Sequence, residues 1–148
     1  MDIREHLLKT REQTLTYYEL PEIELSKNYG EGKWTVRQIL VHLADTETVL
    51  YDRIRRVISE PKQVIWAFNP DAWANALDYH HFPLALSKNV YASVRDCIIY
   101  LAEQHYENKG ANEFIHSNTG LRTLKDEFDK VAEHNYNHLR QIEQALKS

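Results

Sequence analysis

The chain has 148 residues, of which 43% are hydrophobic, and these values suit a single domain over residues 1–148 with one core. The net charge of -4 and the scattered lysines and arginines give no basic surface for a nucleic-acid partner. No apolar run is long enough to cross a bilayer, and no charged start leads into a hydrophobic signal segment, so we expect a cytoplasmic protein without a membrane partner.

Two long helices are predicted in the first part of the chain. The first covers about residues 2–18, where leucine and isoleucine recur at helical spacing. A glycine-containing segment then interrupts the pattern. The second helix begins after Thr35, because Thr35 and Gln38 have the spacing of a capping box, in which hydroxyl and amide satisfy each other's free backbone donors. Its apolar stripe continues to Ile58, and Pro61 follows.

A long crossover, residues 64–83, separates the second helix from the third and exceeds the length of a simple turn. Asn69 followed by Pro70 predicts a short helix within it. A crossover of this length implies that the second and third helices need not be antiparallel neighbours. Its aromatic side chains either cap one end of the core or wall a substrate pocket. They are Trp66, Phe68, Trp73, Tyr79 and Phe82.

The third predicted helix covers about residues 84–106 and contains Cys97, the one cysteine of the chain. A single cysteine excludes a disulfide framework and a thiolate zinc cluster. In this apolar stretch we expect Cys97 to pack as a small hydrophobic side chain, with a reactive thiol as the alternative. The fourth helix has Thr123 as its N-cap and ends near Leu146. No segment alternates with a period of two, so the pattern predicts an all-α four-helix bundle.

Three histidines lie at the borders of apolar stripes: His42 on the second helix, and His134 and His138 on the fourth. Residues four apart share a helix face, so His134 and His138 can bind one ion together. Without a third ligand, two histidines at this spacing are more often solvated on a helix face or buried in the core with their hydrogen bonds satisfied. A metal held by three imidazoles and open to water is reactive rather than structural. Imidazole suits zinc, nickel, iron or copper. The two Glu-x-x-His elements of a di-iron bundle are missing, which favours a mononuclear site.

Further charged residues follow these histidines along the helices. Asp45 lies one turn after His42, and Glu127 lies two turns before His134. Either carboxylate could orient an imidazole or accept a proton. The alternative, which is the commoner case for a carboxylate on a helix, is that the side chain is simply solvated. Arg53, three turns beyond His42, could pair with a substrate carboxylate, although a surface cation is commoner there.

Three more residues are candidates for the substrate pocket or for contacts with the ligands. His116 precedes Gly120 and either caps a loop or lines the pocket. Gln141 lies one turn beyond His138, close enough to touch the site, and the sequence gives it no specific role. Trp73 is the crossover aromatic residue that we place at the pocket.

Residues 34–47, with the sequence WTVRQILVHLADTE, resemble the second-helix signature of the DinB/YfiT-like metalloprotein superfamily. Residues 120–124, followed by His134 and by residues 138–142, resemble its last-helix segment, at about the separation found in that family. The whole chain matches the usual length of that family. The resemblance implies an up-down-down-up bundle that binds one divalent metal through the three histidines, commonly as a homodimer, and it gives no reason to expect DNA binding.

The resemblance implies several kinds of activity on a small-molecule substrate. Relatives include thiol S-transferases that use bacillithiol, mycothiol or glutathione, a thiol-requiring maleylpyruvate isomerase, and proteins described as metal-dependent hydrolases. The expected cofactor is zinc or nickel, with iron or manganese as alternatives. Our leading expectation is transfer with a low-molecular-weight thiol, whose pKa the cation lowers. The alternatives are hydrolysis by metal-bound water and a non-catalytic metal or small-molecule binding module.

Overall fold

The computed structural model describes residues 2–148. Within them lie four long helices, two short helices and a small three-stranded sheet. The order is α1 (Ile3–Tyr17), α2 (Glu22–Leu25), α3 (Val36–Ser59), β1 (Val64–Ile65), α4 (Pro70–Ala76), α5 (Leu84–His105), β2 (Glu113–His116), β3 (Gly120–Thr123) and α6 (Leu124–Leu146).

Side-chain caps fix the starts of three long helices. Asp2 begins α1 by accepting a hydrogen bond of 2.8 Å from the backbone N–H of Glu5. Thr35 and Gln38 form the predicted capping box of α3, and Thr123 begins α6 with a second one. Each box satisfies two backbone donors that a helix start leaves free. The predicted starts of the long helices therefore agree with the structure to within about one residue.

Ion pairs show how α1 and α5 run relative to each other. Arg4 pairs with Glu103 near the start of α1, and Arg11 pairs with Asp96 two turns later. As the residue number rises in α1, the partner's number falls in α5. The two helices are therefore antiparallel neighbours.

Buried clusters show that α3 and α5 are parallel. Leu40 of α3 shares one cluster with Tyr91 of α5, and Ile54 shares the next with Ile98. Residue numbers rise together along both helices. The long crossover between them makes this possible, because a short turn would force an antiparallel pair.

Contacts between α3 and α6 complete the topology. His42 meets His134, whereas Arg53, further along α3, meets Glu127, which lies earlier in α6. These helices are therefore antiparallel. Taken with the other pairs, the long helices run up-down-down-up in chain order, which confirms the bundle that the resemblance implied.

The small sheet was not predicted. Its order is β1-β2-β3, with β1 parallel to β2 and β2 antiparallel to β3. It lies where α3 and α5 end and α6 begins. β2 buries Phe114 and His116 alternately, but four residues are too few for this alternation to stand out in a sequence. The all-α prediction is correct for the bundle and incomplete at this end.

The crossover combines a core cap with a more open segment. Asn69 caps α4 as predicted, accepting a hydrogen bond of 3.0 Å from the N–H of Ala72. Tyr79 is fully buried in a small cluster with Val41, whereas Trp66 is 77% exposed. The core-cap interpretation therefore applies to Tyr79 and not to Trp66.

Cys97 is exposed, so its expected burial was wrong. The buried positions of α5 include Tyr91, Arg95, Ile98 and Ala102, which recur every three or four residues, and Cys97 falls outside this series.

None of the helices in residues 2–148 has the length and apolar character needed to cross a membrane. The cytoplasmic location and the homodimer stay predictions.

Candidate metal centre

Three histidines from α3 and α6 converge inside the bundle. Nε2 of His134 lies 3.1 Å from Nε2 of His42 and 3.2 Å from Nε2 of His138. One ring nitrogen of each histidine lies within 4.8 Å of the others. Nitrogen ligands that bind one ion at about 2.0–2.1 Å stand roughly 3.0–3.5 Å apart. The spacing of the three rings therefore fits a single shared ion.

The antiparallel packing of α3 and α6 places these rings, and Trp34 packs against them. The ring centroid of Trp34 lies 4.8 Å from that of His42. The same indole is nearly parallel to the ring of His138, at 6.5 Å and 14°. An apolar ring on this side restricts the orientation of both ligand imidazoles.

Gln141 fixes the proton of His138. Its Oε1 lies 2.7 Å from Nδ1 of His138 and accepts that N–H, so Nε2 of His138 presents a lone pair. Nε2 of His134 can then hydrogen-bond to at most one of its two imidazole neighbours. Hydrogen bonds among neutral rings cannot satisfy both contacts, whereas a metal ion accepts a lone pair from each ring. The donor set therefore fits a metal.

The surroundings keep these imidazoles neutral. Burial, together with the neighbouring His138, lowers the pKa of His42 to about 2 and that of His134 to about 3. Burial also lowers the pKa of His138, although the hydrogen bond that its ring donates to Gln141 acts in the opposite direction. Neutral imidazole is the form that binds metals, so the site is ready to take an ion at physiological pH.

The three histidines line a cavity of about 600 Å³. This volume lies within the range of small-molecule sites. Its wall is formed by the segment before α3, by α3, by the crossover, by the end of β2 and the turn after it, and by α6. Among its other lining residues are Thr46, Arg53, Phe68, His116, Asn118 and Lys130.

Three of the other predicted residues contact the ligands or line the cavity. Gln141 bonds to His138, and His116 and Arg53 line the cavity wall. Arg53 is only 3% exposed and donates a hydrogen bond of 3.2 Å to the carbonyl of Trp66. The interpretation of Arg53 as a surface cation was therefore wrong.

Asp45, Glu127 and Trp73 are not among the lining residues. Asp45 is half-buried and accepts a hydrogen bond from the hydroxyl of Tyr79, and burial raises the pKa of its carboxyl group. The ring centroid of Trp73 lies 4.7 Å from that of Phe68, which does line the cavity.

Glu127 is fully buried, so its interpretation as a solvated carboxylate was wrong. It accepts a hydrogen bond of 3.3 Å from Nε of Arg122, and its second oxygen lies 3.8 Å from Arg53. Within residues 2–148, neither Glu127 nor Asp45 hydrogen-bonds to a ligand histidine. Spacing along one helix placed both near the site, but the neighbouring elements decided what they contact.

Two lining residues that the sequence reasoning missed had a usable signal. Thr46 lies one turn after His42, with its hydroxyl 3.3 Å from Nε2 of that ring. Lys130 lies one turn before His134. The same four-residue spacing that pairs the histidines would have found both. Asn118 had no such signal, because its hairpin was not predicted.

Replacing Gln141 with leucine is expected to lower the metal affinity about 10- to 100-fold. The variant removes the acceptor that holds Nδ1–H of His138, so the ring is free to turn or to change tautomer. Competition with a chromogenic chelator measures the affinity. Gln104→Leu, on the exposed side of α5, is the matched control. Equal affinities in both variants would show that Gln141 does not orient the ligand.

The fold and the site define a four-helix-bundle protein with a cluster of three histidines that could hold a metal ion beside a cavity. Residues 6–142 match the model of the DinB superfamily, and the chain belongs to that family.

Two relatives illustrate the similarity. A protein of Oceanobacillus iheyensis is 29% identical, covering 90% of this chain and 76% of the relative. One of Halalkalibacterium halodurans is 27% identical, covering 86% and 74%. Both carry the name "putative metal-dependent hydrolase".

A solved structure matches the fold. The chain superposes on YfiT from Bacillus subtilis with a TM-score of 0.89, covering 98% of this chain and 84% of YfiT. YfiT is described as "a probable metal-dependent hydrolase with an unusual four-helix bundle topology". At 21% identity the likeness shows the shared fold.

Proposed function

We propose that this protein is a divalent-metal-dependent enzyme that hydrolyses a small molecule in the cavity beside its three histidines. The observation that carries the proposal is the convergence of three neutral imidazoles on the wall of a cavity of about 600 Å³. A bound divalent metal lowers the pKa of its water towards neutrality and so supplies a nucleophile. The names of the two relatives support hydrolysis as the reaction class.

The chain's own residues would hold the ion and orient the substrate. The three histidines bind the ion, and Gln141 holds the ring of His138 in place. His116 accepts hydrogen bonds on Nδ1 from the backbone N–H groups of Asn118 and Thr119, at 3.1 and 3.2 Å. Its ring proton therefore lies on Nε2, which makes His116 a hydrogen-bond donor in the cavity wall. Such a donor can orient a substrate oxygen.

Transfer with a low-molecular-weight thiol is the second candidate. The cavity volume is that of a drug-sized ligand, so a thiol compound and a small electrophile could bind there together. Cys97 does not line this cavity, so the nucleophile would come from the thiol compound. A metal at the histidines would lower the pKa of that thiol.

The test is metal-dependent turnover. Protein purified without an affinity tag is stripped with a chelator and reloaded separately with zinc, nickel, iron(II) or manganese. Each form is assayed with chromogenic esters, amides and phosphoesters in the absence of thiol. The same chromogenic compounds are then offered as electrophiles together with bacillithiol or glutathione. We expect hydrolysis without thiol by at least one loaded form, and a return to the uncatalysed rate after chelation.

The other outcomes separate the alternatives. Turnover that requires the thiol would replace hydrolysis by transfer. Absence of turnover in every arm, with one ion bound per chain, would overturn the proposal in favour of a binding module. His134→Ala protein serves as the inactive control, because it lacks one of the three ligands.

A further inference from the structure

The cavity contains a buried guanidinium with unused hydrogen-bond donors. Arg53 lines the cavity although it is only 3% exposed. Its Nη2 donates to the carbonyl of Trp66, but its buried Nε has no hydrogen-bond partner within residues 2–148. Its Nη1 lies 3.8 Å from Glu127, which is too long for a hydrogen bond. A buried cation is costly unless its donors are satisfied, so this arrangement favours an additional acceptor.

Positive charge exceeds negative charge around this guanidinium. Arg53, Arg122 and Lys130 carry three positive charges against two negative charges, those of Glu127 and Asp52, and Asp52 is half-exposed and already paired with Arg56. Burial and the neighbouring arginines lower the pKa of Lys130, although Glu127 opposes this. The cations are therefore close enough to repel one another. Asp71 also lines the cavity, but it is exposed.

The end of β2 and the turn after it add neutral donors to the same cavity. Nε2 of His116 carries the ring proton and makes no hydrogen bond to other residues in the range 2–148. Burial and the nearby Arg53 lower the pKa of His116, so the ring stays neutral at physiological pH. Asn118 of the turn lines the cavity as well. Donors of this kind, beside two cations, suit an oxyanion.

We propose that Arg53 and Lys130, assisted by His116, bind a carboxylate or phosphate group of the substrate in the cavity that the three histidines share. The guanidinium offers paired donors to two oxygens, and the ammonium adds a point charge. Calling the ligand a substrate rests on the proposed function, but the anion site itself does not require the metal. An anionic group held here would position the rest of the molecule against the histidines.

The test measures anion binding to metal-free protein. Benzoate and phenylphosphonate are the anionic probes, and benzamide is the neutral match of benzoate. Isothermal titration at constant ionic strength gives each dissociation constant. We expect both Arg53→Gln and Lys130→Gln to weaken binding of at least one anion about tenfold or more. Binding of benzamide should be the same in all proteins.

The controls keep the test independent of folding and of catalysis. Lys130 is only half-buried, so its variant is the safer one, and Lys125→Gln on the same helix is the matched control outside the cavity. Preferential binding of benzoate assigns the site to carboxylates, and preferential binding of phenylphosphonate assigns it to phosphates. The proposal is overturned if neither anion binds more tightly than benzamide, or if Lys130→Gln binds both like the wild type. Because no metal is present, neither result depends on whether the protein is a hydrolase.

Discussion

Replacing His138 with alanine is expected to lower the metal affinity by more than about 100-fold, since loss of a group that merely orients a ligand already costs about 10- to 100-fold. Two imidazoles remain, and they hold an ion far less tightly than three. The helical content should be nearly unchanged, because the apolar stripes of α3 and α6 pack without the metal. Elemental analysis after dialysis measures the bound ion, and far-ultraviolet circular dichroism measures the helix.

The matched control for this variant is His80→Ala. His80 is exposed and its Nε2 lies 3.2 Å from the amide of Gln38, away from the cavity. This control should bind one ion per chain, like the wild type. An unchanged metal content in the His138 variant would show that His138 is not a ligand.

The second prediction with a large expected effect concerns the stability of the bundle and an ion pair at its centre. Arg95 is fully buried and donates to both carboxylate oxygens of Glu47, at 2.9 and 2.6 Å. It also donates to the carbonyl of Leu7, to the hydroxyl of Thr10 and to the side-chain oxygen of Asn135. These five residues come from all four long helices. Because Asn135 directly follows His134, the same network helps to fix how α6 presents that ligand.

Arg95→Ala is expected to lower the free energy of unfolding by about 3–5 kcal/mol, because it leaves the buried carboxylate of Glu47 without its partner. For a domain of this size, the melting temperature should fall by about 6–20 °C. Chemical and thermal denaturation measure both quantities.

An exposed arginine is the control for Arg95. Arg4 pairs with Glu103 at the surface, so Arg4→Ala should cost less than about 1 kcal/mol. If Arg95→Ala were no more destabilising than this control, the network would not hold the helices together.

The long helices could be predicted because their signals are local. Thr35 and Gln38 are three residues apart, and both hydrogen bonds of their capping box join groups within this short segment. The sheet depends instead on distant pairing, since Val64 of β1 aligns with Ile115 of β2. Nothing in either short segment indicates its partner, so the sequence contained no usable signal for the sheet.

The candidate site divides in the same way. The four-residue spacing of His134 and His138, with the family resemblance, was enough to propose the ligands. The burial of Arg53 and Glu127 could not be predicted, because it arises where α3 meets α6. Position along a single helix shows which residues share a face, but not what covers that face. Cys97 illustrates the same limit on α5, where an apolar neighbourhood in the sequence did not place it on the buried side.

The most direct test of the metal centre is anomalous X-ray diffraction from crystals of the metal-loaded protein at the absorption edge of the ion. We expect one strong anomalous peak per chain, at about 2.0–2.2 Å from Nε2 of His42, His134 and His138 together. A principal peak elsewhere, or one bound by only two of these imidazoles, would contradict the shared site.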